Sequence, residues 1–175
     1  MVMRMSTEIS RAERLRSPLA IIVLDVDGFK QINDSYGHPV GDQVLREVSR
    51  SLLDSLRPYD TCVRFAGDEF VVLMADCQPD MADVKRRELQ QCIEASALEV
   101  GSSVIRVGAS AGVAVYPQDG LTEDALLTAA DQRMYADKAE RRRRGGLRGR
   151  VSFDRELVQV APILSARPSV ATHQH

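Results

Sequence analysis

Leu19–Leu24 (LAIIVL) is a run of six apolar residues that ends abruptly in Asp25-Val26-Asp27-Gly28. A strand with one wet face alternates apolar and polar residues, so an unbroken run is the mark of a strand covered on both faces. Such a strand needs packing layers above and below it. The 175 residues, 44% of them hydrophobic, suffice for one domain of that kind plus short tails, not for two. The other long apolar run, Phe70–Ala75, also has six residues, far short of the roughly 20 of a membrane span. The start, MVMRMSTEISRAERLR, is charged and has no apolar centre, unlike a secretory signal.

Around the central strand the pattern alternates. Residues 1–18 read as a lead-in helix or frayed segment. Residues 29–40 carry Asn33, Asp34, Gly37, His38 and Pro39 and read as a loop or broken helix. From Asp42, Leu45, Val48, Leu52 and Leu56 recur at helical spacing and form a core stripe, ended by Pro58. Thr61–Phe65 and Glu69–Ala75 flank Ala66-Gly67-Asp68, which predicts a β-hairpin with acids at its tip. Pro79 to about Glu99 reads as helix, and Val104–Tyr116 as one long β segment bent or bulged at Gly108 and Gly112. A last helix is expected from Thr122 to about Glu140, followed by a basic loop over Arg141–Arg150 and a short strand at Val151–Phe153. The expected fold is α+β, an α/β sandwich: a mixed sheet of about five strands with an antiparallel hairpin, surrounded by helices. The expected boundaries are a lead-in over 1–18, the domain over 19–154, and a tail over 155–175 that is disordered at its end.

The charge balance, 23 Lys and Arg against 25 Asp and Glu, argues against a nucleic-acid coat or a membrane-surface protein. Three cysteines (Cys62, Cys77, Cys92) with no CxxC predict inert thiols, no disulfide framework and a cytoplasmic setting. Two of the three histidines lie in the last three residues, so a buried His/Cys zinc site is disfavoured. Any metal is expected on carboxylates, which implies Mg²⁺, Mn²⁺ or Ca²⁺. An EF-hand starting at Asp25 fails, because its sixth position is Lys30 and its twelfth Tyr36. Neither GxxxxGK[ST] nor GxGxxG occurs, which removes P-loop and Rossmann nucleotide sites.

The chemistry then rests on acids. Asp25 ends the buried strand, where functional groups emerge into a crevice, and Asp27 would share its side if the strand continued. Asp68 and Glu69 sit at the hairpin tip. If the two elements are neighbours, their carboxylates converge, and a buried acid cluster is costly unless paired or bound to a cation. Converging acids with Mg²⁺ are the usual equipment of phosphoryl and nucleotidyl transfer. The simpler reading of each acid alone is a helix cap or a turn residue.

Four blocks, DVDGFKQINDSYGHPVGD at 25–42, RFAGDEF at 64–70, SAGVAVYPQDG at 110–120 and AADQRMYADK at 129–138, resemble the GGDEF family in order and spacing. The resemblance covers about residues 19–154. It implies a nucleotidyl-cyclase-like palm and the activity of diguanylate cyclases, which condense two GTP into cyclic di-GMP as a homodimer. It also implies roles for matching residues. Asp25, the Val26 carbonyl, Asp68 and Glu69 would hold Mg²⁺ or Mn²⁺, with Asp68 and Glu69 also catalytic. Lys30 would stabilise the reacting phosphates. Asn33 and Asp42 would bond the guanine, with His38 in the same nucleotide-facing stretch, and Gly67 would lie against substrate. Lys138 and Arg142 would clamp the terminal phosphates. These residue types suit the task, since a carboxylate accepts from guanine N1–H and N2–H₂ and cations offset a triphosphate.

Two sequence features depart from the family pattern. Position 66 is Ala where the signature has Gly, and the LTGLxNR motif usual before the first strand is missing. They favour the alternative reading, a weak or inactive domain that serves as a cyclic di-GMP or GTP receptor. Retention of Asp25, Lys30, Asp68 and Glu69 favours the enzyme. Arg57-Pro58-Tyr59-Asp60, with five residues between Asp60 and Ala66, has the spacing of the family's RxxD inhibitory site, with Arg64 as a further contact; the plain alternative is a surface pair. Six arginines within 141–150 read as a solvated loop or, through Arg142, a phosphate clamp, with nucleic acid as a lesser possibility.

Overall fold

The computed structural model describes residues 2–101 and 103–144. Helix α1 (Val2–Leu15) leads into strand β1 (Leu19–Val26), every residue of which is buried. Two helices follow, α2 (Phe29–Tyr36) and α3 (His38–Asp54), then the hairpin β2 (Thr61–Ala66) and β3 (Glu69–Ala75). After α4 (Pro79–Ala95) come a small hairpin, β4 (Leu98–Val100) with β5 (Ser103–Ile105), strand β6 (Ala109–Tyr116) and helix α5 (Glu123–Arg144).

The main sheet has the order β2-β3-β1-β6, and β4-β5 is separate. The α+β architecture is as expected, but each described strand pair is antiparallel, not mixed. The reason is topological. The connection from β1 through α2 and α3 returns to β2, which is not its neighbour, because β3 inserts between them. The connection from β3 through α4 likewise returns to β6 with β1 between. This is the split βαβ arrangement, in which no two parallel strands touch.

β1 lies at the centre and its alternate residues feed two cores. Ala20, Ile22, Leu24 and Val26 pack with Val44, Leu45, Val48 and Leu52 of α3 and with Leu89 and Ile93 of α4. Leu19, Ile21 and Val23 pack with Met5, Ile9 and Ala12 of α1 and with Leu126, Ala130 and Met134 of α5. Each fully buried Leu or Ile here contributes roughly 1.5–3 kcal/mol. The α3 stripe is core, as its spacing predicts.

Several local expectations are corrected. Residues 29–40 form two helices broken at Gly37, whose φ of 82° lies in the left-handed region; Pro39 sits in the first turn of α3, so that helix starts at His38 rather than Asp42. Helix α4 ends at Ala95, not near Glu99: the Ser96 hydroxyl donates to the Ile93 carbonyl at 2.7 Å and the chain turns into β4. The single long β segment is two strands of different sheets, since Arg106–Gly108 belongs to neither β5 nor β6. Arg141–Arg144 is helix rather than loop. Arginine is a good helix former, cations are favoured at a helix C-terminus, and Arg143 and Arg144 pair with Glu140 at 2.8 and 2.5 Å. The expected strand at Val151–Phe153 and the tail lie outside the described residues. Among the described residues no helix is long and apolar enough to cross a membrane.

Candidate active site

The site forms where β1 ends beside the β2–β3 turn. In the register of the sheet Asp25 lies opposite Glu69 on one side and Ser110 on the other, so all three point to the α5 face. The Val26 N–H donates to the Asp68 carbonyl at 3.2 Å, which ties the end of β1 to the turn. Asp25 is only 8% exposed, and its Oδ1 accepts from Lys138 Nζ at 2.6 Å. The Glu69 carboxyl is held above the usual carboxylate range, first by burial and then by the charges of Asp25, Asp68 and Asp131, against which Lys138 acts. The acids therefore do converge, and negative charge is in excess.

Asp27 also lies toward α5 but takes partners of its own, Ser110 and Arg141. The strand stops at Val26, Gly28 takes a left-handed φ of 74°, and the chain swings into α2. Asp27 then turns to β6 and α5: its carboxylate accepts from Ser110 Oγ at 2.7 Å and from Arg141 Nε at 3.3 Å, while its N–H donates to the Gly108 carbonyl at 2.9 Å. Arg141 also pairs with Glu94. Asp27 is thus a brace for the turn that carries Asp25.

At the hairpin tip Gly67 has a φ of 51°, and Arg64 Nε donates to its carbonyl at 2.7 Å. Ala66 is the last residue of β2 and is not among the positive-φ positions, so its Cβ meets no conformational bar. Lys30 is exposed in the first turn of α2. One turn on, the Asn33 Oδ1 is buried without a hydrogen-bond partner. Gly41 lies against it: a Cβ there would sit 2.0 Å from that oxygen. Asp42, Leu45, Arg46 and Ser49 of α3 line a cleft of about 330 Å³ with Arg64 and Phe70 of the hairpin. His38 is exposed at the start of α3. Arg142, one turn beyond Lys138, is exposed.

Arg57 and Asp60 stand at the far end of the hairpin, where Thr61 pairs with Leu73, whereas Arg64 lies toward the acids and the Asp42 cleft. The Arg57 N–H donates to Asp60 Oδ2 at 3.0 Å, and the Arg57 guanidinium lies 5.9 Å from the Tyr59 ring centre. Asp60 Oδ1 is buried without a partner. With Met74, Cys77, Met81, Val84, Lys85 and Glu88 these two residues line a pocket of about 80 Å³. Cys62 and Cys77 are both pushed up by burial, the former to about 11, which suits unreactive thiols.

Sequence reading missed Gly41, Arg46, Ser110 and the bracing role of Asp27. A glycine one residue before an expected base-binding Asp was the only cue, and it gains meaning only from the contact with Asn33.

Among the described residues no group of three His, Cys, Asp or Glu side chains is arranged to hold a metal as it stands. The chemistry of the donors nevertheless fits a hard divalent cation: oxygen ligands, carboxylates of two neighbouring strands in register, and a Glu whose proton affinity is raised first by burial and then by anionic neighbours.

An antiparallel split-βαβ sheet that presents acids beside a polar cleft and a set of cations defines a nucleotidyl-cyclase-type domain. Residues 1–144 match the family model described as "Diguanylate cyclase, GGDEF domain", and the chain belongs to this family. The bifunctional diguanylate cyclase/cyclic di-GMP phosphodiesterase MucR of Pseudomonas aeruginosa is 37% identical over 139 residues, 79% of this chain and 20% of MucR. The chain thus spans about a fifth of that relative's length. A sensory box/GGDEF family protein from Caulobacter crescentus superposes with a TM-score of 0.74 at 33% identity, covering 79% of this chain and 90% of that one. The GGDEF domain of DgcB from Caulobacter crescentus, solved in complex with c-di-GMP, gives a TM-score of 0.70 at 26% identity, with 83% of each chain covered.

Proposed function

We propose that the chain is a diguanylate cyclase that converts two GTP into cyclic di-GMP and two pyrophosphates. The 3′-oxygen of each GTP bonds to the α-phosphorus of the other, the bond from that phosphorus to the departing pyrophosphate breaks, and the 3′-hydroxyl proton passes to a carboxylate, assigned to Asp68. Each subunit of a homodimer presents one GTP. The observation that carries this reading is the pairing of Asp25 with Glu69 across β1 and β3.

Asp25, the Val26 carbonyl, Asp68 and Glu69 are the residues that would hold Mg²⁺ or Mn²⁺. The ion would neutralise phosphate charge and polarise the reacting phosphoryl oxygens. Lys30, Lys138 and Arg142 serve the triphosphate, where charge-assisted bonds are strong. Asn33 and Asp42 receive the guanine, and the unpartnered Asn33 oxygen is an acceptor ready for a base N–H. His38 and Gly67 border the same substrate. Arg57 and Asp60 form the product's inhibitory site, apart from the acids, while Arg64 stands where it serves the substrate cleft as well.

Purified protein incubated with GTP and Mg²⁺ yields cyclic di-GMP and pyrophosphate if the reading holds. A second reading, a nucleotide receptor without turnover, is favoured by the direct Lys138–Asp25 pair, which satisfies an acid otherwise assigned to a cation. Its signature is stoichiometric cyclic di-GMP or GTP binding with no product formed.

A further inference from the structure

Helix α5 reaches the outer edge of β6 and the adjoining turn through side chains four residues apart. Arg133 Nη1 donates to the Val113 carbonyl at 2.7 Å, and its guanidinium forms bonds of 2.9 and 2.7 Å with the Asp119 carboxylate. Asp137 Oδ2 accepts from the Ala111 N–H at 3.0 Å. Arg141 meets Asp27. Such contacts place the helix both along its axis and about it, because residues four apart lie on one face. Gly112 lets the helix come close, since a Cβ there would stand 2.0 Å from the Ala130 carbonyl oxygen.

The middle anchor is the most elaborate. Gln90 of α4 is 5% exposed and fully engaged. Its Nε2 donates to Asp137 Oδ2 and to the Ala109 carbonyl, both at 2.8 Å, and its Oε1 accepts from Arg86 Nη1 at 2.7 Å. Arg86 in turn holds Asp83 at 2.8 Å. One side chain of α5 is therefore fixed to α4 and to β6 at once. The next residue in the helix is Lys138, whose ammonium must arrive at Asp25 across the sheet end.

We propose that Asp137, held by Gln90, is a positioning residue that sets the placement of Lys138, and hence the grip of the site on the terminal phosphates of the nucleotide. Asp137 itself touches the edge of β6, not the acids. A buried, fully satisfied polar network specifies one arrangement of the elements it joins, and a flexible lysine stem needs such a fixed base to deliver its charge to one point. The inference rests on the reading of Lys138 as a terminal-phosphate contact.

The test compares two ligands by titration calorimetry in the presence of Mg²⁺: guanosine 5′-(α,β-methylene)triphosphate, which cannot release pyrophosphate, and GMP, which lacks the terminal phosphates. Lys138→Ala weakens the triphosphate about tenfold, the scale of one bond to a charged group, and leaves GMP unchanged. Asp137→Ala gives the same selective loss, about threefold or more, whereas Asp137→Asn keeps an acceptor oxygen for both donors and restores wild-type affinity. If Asp137→Ala lowers both ligands equally, or neither, while Lys138→Ala remains selective, the positioning role is overturned and the Lys138 assignment stands. If Lys138→Ala is itself unselective, the reading beneath the inference is what fails, and the inference falls with it. Should Asp137→Ala not remain folded by thermal melting, Gln90→Met removes the same brace at similar volume and is held to the same selective loss.

Discussion

Lys138 Nζ lies 2.6 Å from Asp25 Oδ1, joining the last described helix to the end of the first strand. The Asp25 side chain is 11% exposed and the lysine 22%, so the pair is largely shielded from water. The same ammonium opposes burial and the neighbouring acids, which raise the Glu69 carboxyl. One cation thus acts on two acids of the site.

Asp25→Ala, Asp68→Ala and Glu69→Gln should each lower turnover by about a hundredfold or more. Circular dichroism should remain that of the wild type, because these groups lie at the sheet end rather than in either core. Cyclic di-GMP formation measured by chromatography checks this. A variant that keeps more than about a tenth of the activity would remove that residue from the reaction.

Gly41→Ala should raise the KM for GTP about tenfold, the scale of one lost charged or base hydrogen bond. The new methyl would overlap Asn33 Oδ1 and approach the Phe29 ring at 3.3 Å, so the amide must move. Asn33→Ala should raise KM similarly, and the double variant little further, since both changes remove one contact. Strictly additive effects on KM would show that Gly41 acts elsewhere.

Arg57→Ala should weaken cyclic di-GMP binding and relieve product inhibition without lowering the initial rate. Arg57 lies at the opposite end of the hairpin from Asp68, and inhibition through it should be noncompetitive with GTP. Progress curves with added product, together with calorimetry, read both effects. Equal product affinity in the variant and the wild type would place the inhibitory site elsewhere.

Asp119→Ala should cost about 1 kcal/mol at pH 7, a modest figure because Arg133 is half exposed and solvent screens the pair. The Arg133 guanidinium, and after it the Val115 N–H, hold the Asp119 carboxyl below its usual range despite partial burial. A depressed carboxylate contributes stability above its unfolded value, near about 4, and loses it as pH falls through the folded one. Urea unfolding should therefore show the gap between wild type and variant shrinking as the solution is acidified below about pH 4. A gap that is constant with pH would mean that packing, not charge, is what Asp119 supplies.

Local sequence was legible where one element decides its own form. The apolar run Leu19–Leu24 had to be covered on both faces, and it is. The hairpin around Ala66-Gly67-Asp68 and the core stripe of α3 follow from period and turn chemistry alone. The acids of the site could be nominated because a strand end and a turn tip are where charged side chains can leave a core. The extent of helix α5 and the break at Arg106–Gly108 were less legible, because runs of arginine and isolated glycines are compatible with more than one local state.

What the sequence determined by itself was most of the inventory: the central strand, the acid-tipped hairpin, the core stripe of α3, and which side chains carry charge at their ends. Tertiary structure decided the partners. Asp25 and Asp27 are two residues apart and chemically identical, yet one faces Lys138 and the other braces Ser110 and Arg141. Gly41 and Gly112 gain their meaning only from Asn33 and from the backbone of α5. The cause is physical. Period and propensity act over a few neighbouring residues, whereas the choice between two acids, or the need for a missing Cβ, is set by what another element brings within about 3 Å, here from as far as 114 residues away along the chain.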